Sequence, residues 1–199
     1  MTTFYLVRHG ACDGLGEMLW GRRAGVCLNQ EGKAQVQRLA EHFKGVKLDA
    51  VYSSPLERAL ETAEAIARVA KLEINQSHAF NEVDFGEWSG KPFEALARDE
   101  RWRRFNTHRS VTRIPAGESF LEVQTRVVAE FERLSEQHAN ASVAIVSHAD
   151  VIKAAVGYVA GTPIELLQRF EISPGSVSII ATDEDGIKLL AVNSGFGPV

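Results

Sequence analysis

Two histidines carry the first chemical signal in this sequence, because each follows directly on a short apolar run: Arg8-His9 after Phe4 to Val7, and Ser147-His148 after Val143 to Val146. A third residue, Arg58, stands in the first turn of a segment with helical spacing that opens at Ser54-Pro55-Leu56-Glu57. If the two runs are parallel strands, both histidines reach one edge of a sheet, which is where open α/β sheets hold their ligands. Arg8, Arg58, the two histidines and a helix start suit a doubly negative tetrahedral group, since guanidinium forks match phosphate oxygens and helix amides add partial positive charge. An unprotonated imidazole in such a place can attack phosphorus and form a phosphohistidine, which splits phosphoryl transfer into two easier steps.

The elements that must position these groups are legible as an alternation of short apolar runs with segments of helical period, the pattern of an α/β domain with a largely parallel, buried sheet. Strands are expected at Phe4 to Val7, Asp49 to Tyr52, Glu73 to Gln76, Ser142 to Val146, Val177 to Ala181 and Ile187 to Val192. Asp183-Glu184-Asp185-Gly186 reads as the turn of a closing hairpin. Capping boxes mark three helix starts, at Ser54 to Glu57, Ser119 to Glu122 and Thr162 to Glu165. Core stripes follow two of them: Leu56, Ala59, Leu60, Ala63, Ile66, Ala67 and Ala70 in one, and Phe120, Val123, Val127, Phe131 and Leu134 in the other.

Six segments in order resemble the histidine phosphatase superfamily, also called the phosphoglycerate mutase-like family. They are Arg8-His9-Gly10; Gly21-Arg22 with Leu28-Asn29-Gln30-Glu31-Gly32; Ser53-Ser54-Pro55-Leu56-Glu57-Arg58-Ala59 with Thr62-Ala63; Asn81 to Gly90; Gly117-Glu118-Ser119; and Val146-Ser147-His148-Ala149. The resemblance spans nearly the whole chain and implies a three-layer α/β/α sandwich. It also implies that His9 is the nucleophile, that Arg8, Arg58 and His148 hold the phosphoryl oxygens, that Glu82 is the general acid, and that no metal or other cofactor takes part. Asp84, Glu87 and Glu17 are alternative carboxylates for the acid. Many members carry Thr or Ser three residues after the nucleophile and Asn six after it, where this chain has Cys12 and Leu15. Cys12 has two readings, a thiol acidified by Arg8 and Arg58 or a small buried filler.

Arg98, Arg101, Arg103, Arg104, Arg109 and Arg113 crowd a short insertion at about 92–116. In the family such an insertion lies near the site, which makes Arg113, together with Arg22, a candidate for binding an anionic substrate. The bland alternative is a solvated helix face neutralised by Asp99 and Glu100. His42, His78 and His138 stand in polar or helical contexts and read as surface residues.

Rival chemistries fit the residues less well. A cysteine-based phosphatase needs an arginine six positions after its nucleophile, but Cys12 leads to Met18 and Cys27 to Lys33. Asp183 and Asp185 resemble an aspartate-nucleophile pair only in type, and a turn explains them. His9, His148 and Glu82 could in type ligate a metal, but no motif such as His-Glu-x-x-His accompanies them. The expected function is hydrolysis of a small phosphorylated metabolite. Alternatives are a phosphoglycerate mutase and a non-catalytic phospho-ligand binding module.

The bulk properties agree with one domain over 1–199. With 199 residues, 45% of them hydrophobic and 24% charged, the chain is long enough for a self-sufficient core and has the balance of a globular protein. A net charge of -4 speaks against general nucleic-acid binding. No apolar stretch approaches the roughly 20 residues needed to span a bilayer, and the N-terminus lacks the features of a signal peptide, so a cytoplasmic monomer or homodimer without membrane association is expected. Two cysteines form neither a disulfide framework nor a zinc site.

Overall fold

Period-2 alternation within the apolar runs decides how the chain layers, because successive side chains of a strand point to opposite faces. The structure, a computed structural model, describes residues 1–184 and 186–195. In chain order its elements are β1 (Thr2–Arg8), β2 (Met18–Leu19), α1 (Gln30–Phe43), β3 (Ala50–Ser53), α2 (Glu57–Ala70), β4 (Ile74–Gln76), β5 (Lys91–Pro92), α3 (Phe93–Leu96), α4 (Glu100–Thr107), α5 (Phe120–Gln137), β6 (Ser142–Ser147), α6 (Ala149–Val159), β7 (Val177–Asp183) and β8 (Gly186–Ser194). Six of the strands form one sheet in the order β4-β3-β6-β1-β7-β8, and β2 pairs with β5 in a separate two-residue ribbon. The first four are mutually parallel; at the far edge β7 pairs antiparallel with β1, and β8 antiparallel with β7.

Phe4, Leu6, Ala50, Tyr52, Val143 and Ile145 pack beneath α5 and α6, while Val7, Val51, Ala144 and Val146 pack beneath α1 and α2. The sheet is therefore covered on both faces, which gives the expected α/β/α layering. Among the described residues no helix is long and apolar enough to cross a membrane.

The six expected strands are present with ends shifted by a few residues at most. In the expected hairpin turn, Glu184 is in a turn and Asp183 and Gly186 close the strands, whereas Asp185 lies outside the described residues. The helix starts depart more. Ser119 forms the full capping box with Glu122. Ser54 does not cap α2: the helix starts at Glu57 behind Leu56 with no side-chain cap, and the Ser54 hydroxyl, which accepts from the Leu56 amide at 3.4 Å, also meets His148 and Asn81. Thr162-Pro163 opens only a short 3-10 turn, Ile164–Arg169, since the Thr162 amide closes the end of α6 on the Gly157 carbonyl at 2.8 Å.

Four helices without an expected start are present, the short α3 and α4 of the insertion and the longer α1 and α6. Asn29 caps α1, its side chain accepting from the Gly32 amide, and His148 itself occupies the N-cap of α6. Gly32 lets the first turn of α1 lie directly against the loop after His9, where an added Cβ would stand 2.1 Å from the Ala11 carbonyl oxygen. Gly32→Ala is expected to destabilise the fold by about 3 kcal/mol, as overpacking against an unyielding backbone does, and urea unfolding measures it.

Candidate active site

Register brings the chemistry together. Arg8 pairs with Ser147 across β1 and β6, and Ser53 pairs with Val146 across β3 and β6, so His9, His148 and Ser54 leave three neighbouring strands at the same level. The backbone continues the ladder by one rung, with His9 N–H donating to the Ser147 carbonyl and Ser54 N–H to the Val146 carbonyl. The two imidazoles meet edge to face with centroids 5.0 Å apart. Arg8, His9, Arg58 and Glu82 all line one cleft of about 420 Å³.

The tautomer of His9 follows from its neighbour. Its Nδ1 lies 2.7 Å from the Gly10 carbonyl oxygen, which only accepts, so Nδ1 carries the proton and Nε2 keeps a lone pair. Arg58 Nε donates to that lone pair at 3.3 Å, and Arg58 Nη2 is anchored on the Gly21 carbonyl. Arg8 Nη1 is anchored on the Ile172 carbonyl. After these anchors, Arg8 Nε, Arg58 Nη1 and His148 Nδ1 remain buried without a hydrogen-bond partner. Buried polar groups are normally satisfied, so the unpartnered guanidinium N–H groups of both arginines in the cleft that holds His9 mark a place built for an acceptor-rich ligand.

Burial, followed by the cationic field of Arg58, holds both histidines well below their usual 6.5. Both imidazoles are therefore neutral at physiological pH. His148 Nε2 donates to the Ser54 hydroxyl at 2.8 Å, and that hydroxyl donates to Asn81 Oδ1, an oxygen that also accepts from the Glu82 amide. Glu82 moves the opposite way from an ordinary carboxyl. Burial first and the Asp150 charge second push it up to about 7, against the pull of Arg58 and Arg8. Its Oε2 is 3.8 Å from His148 Nδ1. A carboxyl that titrates near neutrality beside a neutral imidazole has the property a general acid needs.

The main chain carrying Glu82 is clamped by two arginines. Arg126 reaches from α5 to the carbonyls of Ala79, Asn81 and Glu82, and Arg22 Nε donates to the Glu82 carbonyl at 2.7 Å. Both guanidinium groups pair with the same carboxylate, Glu118, which also accepts from the Asp84 amide. Arg22 is thereby part of the scaffold behind the acid and is not among the residues that line the cleft. Arg126 is unmarked in the sequence, and Asn81 only opens the Asn81 to Gly90 segment without a role of its own. The one available signal for Arg126 was an arginine at the edge of the apolar stripe that runs through Val123 and Val127.

Arg113 is not brought into the cleft either. It is exposed and tied to Glu122 and the Gly117 carbonyl. Its neighbours in the insertion are also committed locally: Arg98 to Glu94, Arg101 to Asp99 and Glu87, and Arg103 to Glu100. Arg109 is buried over the rings of Phe105 and Phe120, with Asp150 at 3.7 Å. The paired, solvated face explains the exposed arginines, and Arg109 fastens the insertion to the core.

Cys12 is buried, and that burial pushes its thiol up to about 11 despite Arg58, so the acidified reading is corrected in favour of the filler. His138 is also corrected: it is half-buried and bonded to the Tyr52 hydroxyl. The metal alternative meets a surrounding of like charge, because Arg8 and Arg58 flank His9 and repel a cation. Among the described residues no three His, Cys, Asp or Glu side chains are gathered as a ligand set.

The comparisons with known proteins converge on one family. The profile of the histidine phosphatase superfamily (branch 1) matches residues 4–195. Phosphoserine phosphatase 1 of Hydrogenobacter thermophilus is 31% identical over 201 residues, which cover 97% of this chain and 92% of that protein. Adenosylcobalamin/alpha-ribazole phosphatase of Escherichia coli is 28% identical over 195 residues, covering 96% of this chain and 95% of the relative. Among solved structures, YhfR of Bacillus stearothermophilus superposes with a TM-score of 0.91 at 27% identity over 97% of both chains.

Proposed function

The chain belongs to the histidine phosphatase superfamily, and from that premise we propose that residues 1–199 act as one catalytic domain that hydrolyses small phosphorylated metabolites through a phosphohistidine on His9. The observation that carries this reading is the pair of buried guanidinium nitrogens without partners, Arg8 Nε and Arg58 Nη1, in the cleft that holds the His9 Nε2 lone pair.

The first step forms one bond and breaks one. The Nε2 lone pair attacks phosphorus, the ester P–O bond breaks, and the departing oxygen takes the proton of Glu82. Arg8 and Arg58 neutralise the equatorial oxygens as charge spreads onto them. His148 keeps its Nε2 proton on Ser54; an ester that arrives as the monoanion gives its proton to His148 Nδ1, which holds it against a phosphoryl oxygen through both steps and returns it to the departing phosphate. In the second step Glu82, now a carboxylate, takes a proton from water. The water oxygen bonds to phosphorus, the P–N bond breaks, and inorganic phosphate leaves with His9 returned to its starting state. No step calls on a metal.

Two curated relatives with high coverage are named as phosphatases, and this supports release to water over return of the phosphoryl group to a second hydroxyl. The test is phosphate release from a panel of monoesters in EDTA, with products of 3-phosphoglycerate resolved. Release that persists in chelator is the expected result. Isomerisation without release would establish the mutase, and silence on every ester while phosphate still binds would establish the binding module.

A further inference from the structure

Beyond the phosphoryl cradle, the cleft carries charged groups that the reaction described above does not use. Lys153 and Asp150 sit one helical turn apart on α6, and the Gln168 amide bridges them: Lys153 Nζ donates to Gln168 Oε1 at 3.1 Å, and Gln168 Nε2 donates to Asp150 Oδ1 at 3.1 Å. Lys153 is only 8% exposed, yet it lines the cleft. An ammonium has three donors, and Gln168 takes one. Burying a lysine with donors to spare is costly unless something pairs with it. On the same cleft Glu171 is exposed and makes no hydrogen bond or ion pair among the described residues.

Position favours a short ligand. Lys153 lies five residues along α6 from His148, about 7.5 Å of helix rise, and long side chains on a helix lean back toward its N-terminus, here toward the phosphoryl cradle. The same cleft is also lined by the apolar side chains of Leu15, Met18, Trp20 and Phe93. The cleft thus offers an anion site at the histidines, a cation at Lys153 and carboxylates at Glu171 and Asp150.

We propose that Lys153 and Glu171 form a subsite for the non-phosphoryl end of the substrate, Lys153 taking a carboxylate and Glu171 an ammonium, so that the substrate class is an O-phosphorylated α-amino acid. This inference rests on the phosphatase reading and names the substrate class for the same cleft. Asp150, held by Gln168 and Arg109, orients Lys153 and adds negative charge on the ammonium side.

The test compares phosphoserine with its decarboxylated analogue, phosphoethanolamine, and its deaminated analogue, 3-phosphooxypropanoate, with p-nitrophenyl phosphate as a general ester. For the parent enzyme, kcat/KM is expected to be highest for phosphoserine. Lys153→Met should lower the preference for phosphoserine over phosphoethanolamine by roughly tenfold or more, the worth of a hydrogen bond between charged groups. Glu171→Gln should lower the preference for phosphoserine over 3-phosphooxypropanoate and leave the first ratio in place. Because Glu171 is exposed, that variant tests the subsite even where Lys153→Met folds poorly. Ratios that stay the same in both variants, or a parent enzyme that hydrolyses p-nitrophenyl phosphate but does not prefer phosphoserine, would overturn the subsite. Failure to hydrolyse any of the esters would count against the phosphatase reading itself.

Discussion

His9→Ala is expected to lower kcat on every phosphate monoester by roughly ten-thousandfold or more, because the variant has no atom that can carry the phosphoryl group and the two-step path closes. The loss should be uniform across good and poor leaving groups, since both need the same nucleophile. Phosphate binding should survive. Arg8, Arg58 and His148 are anchored by the Ile172 carbonyl, the Gly21 carbonyl and Ser54, none of which depends on the His9 side chain. Inorganic phosphate should therefore still raise the thermal midpoint of the variant, as a ligand bound only by the folded state does. Loss of that protection together with activity would mean that the substitution had dismantled the site.

The second large effect belongs to Glu82 and depends on the leaving group. An alkoxide is a strong base and must be protonated as it departs, whereas a nitrophenolate leaves unaided. Glu82→Gln should cost roughly a hundredfold to ten-thousandfold on alkyl phosphates and less than about tenfold on p-nitrophenyl phosphate. The carboxyl ionises at about 7, so kcat/KM of the parent enzyme on an alkyl phosphate should fall as pH rises above that value, and the variant should lose this limb. His9 contributes no matching limb near neutrality, because it is held well below 6.5 and stays neutral.

The same shift fixes a stability effect of definite sign. Between 4.5 and about 7 the folded chain keeps a proton on Glu82 that the unfolded chain has released, so stability falls as pH rises through that window. The cost is complete above it. The glutamine variant has no charge to bury and should be more stable than the parent at about pH 8, by about 3 kcal/mol, and no more stable at about pH 4. Equal unfolding curves at both pH values would mean that Glu82 is not strained by its site.

What the sequence made legible was whatever a local pattern encodes. The strand runs carry both period and position, so His9 and His148 could be placed at strand ends before their contacts were known, and Arg58 came with the helix stripe that starts beside it. α6 was missed because Val151 to Gly157 are all buried, which leaves no polar face to set a helical period. α1 is legible in principle, since Val36, Leu39, Ala40 and Phe43 recur at helical spacing behind the Asn29 cap.

Misreadings in the site share one cause, which is that a side chain's partner lies far along the chain. Ser54 has the type and place of a helix cap, but His148, 94 residues on, takes its hydroxyl. Arg22 and Arg113 have the charge for an anionic substrate, yet each is met by carboxylates of the protein, Arg22 by Glu118 and Asp84 and Arg113 by Glu122. Arg126 acts on backbone carbonyls and Asn81 on the Glu82 amide and the Ser54 hydroxyl, contacts that no sequence pattern displays.

The most direct test of the central claim is to trap the phosphoryl enzyme. The protein is mixed with p-nitrophenyl phosphate, quenched in alkali, where phosphorus bound to an imidazole nitrogen survives, and the phosphorylated residue is located by peptide mass spectrometry. The account predicts a phosphoryl group on His9, formed no more slowly than turnover, destroyed by acid and absent from His9→Ala. Full turnover with no such adduct, or a phosphoryl group on a carboxylate that persists in His9→Ala, would contradict it.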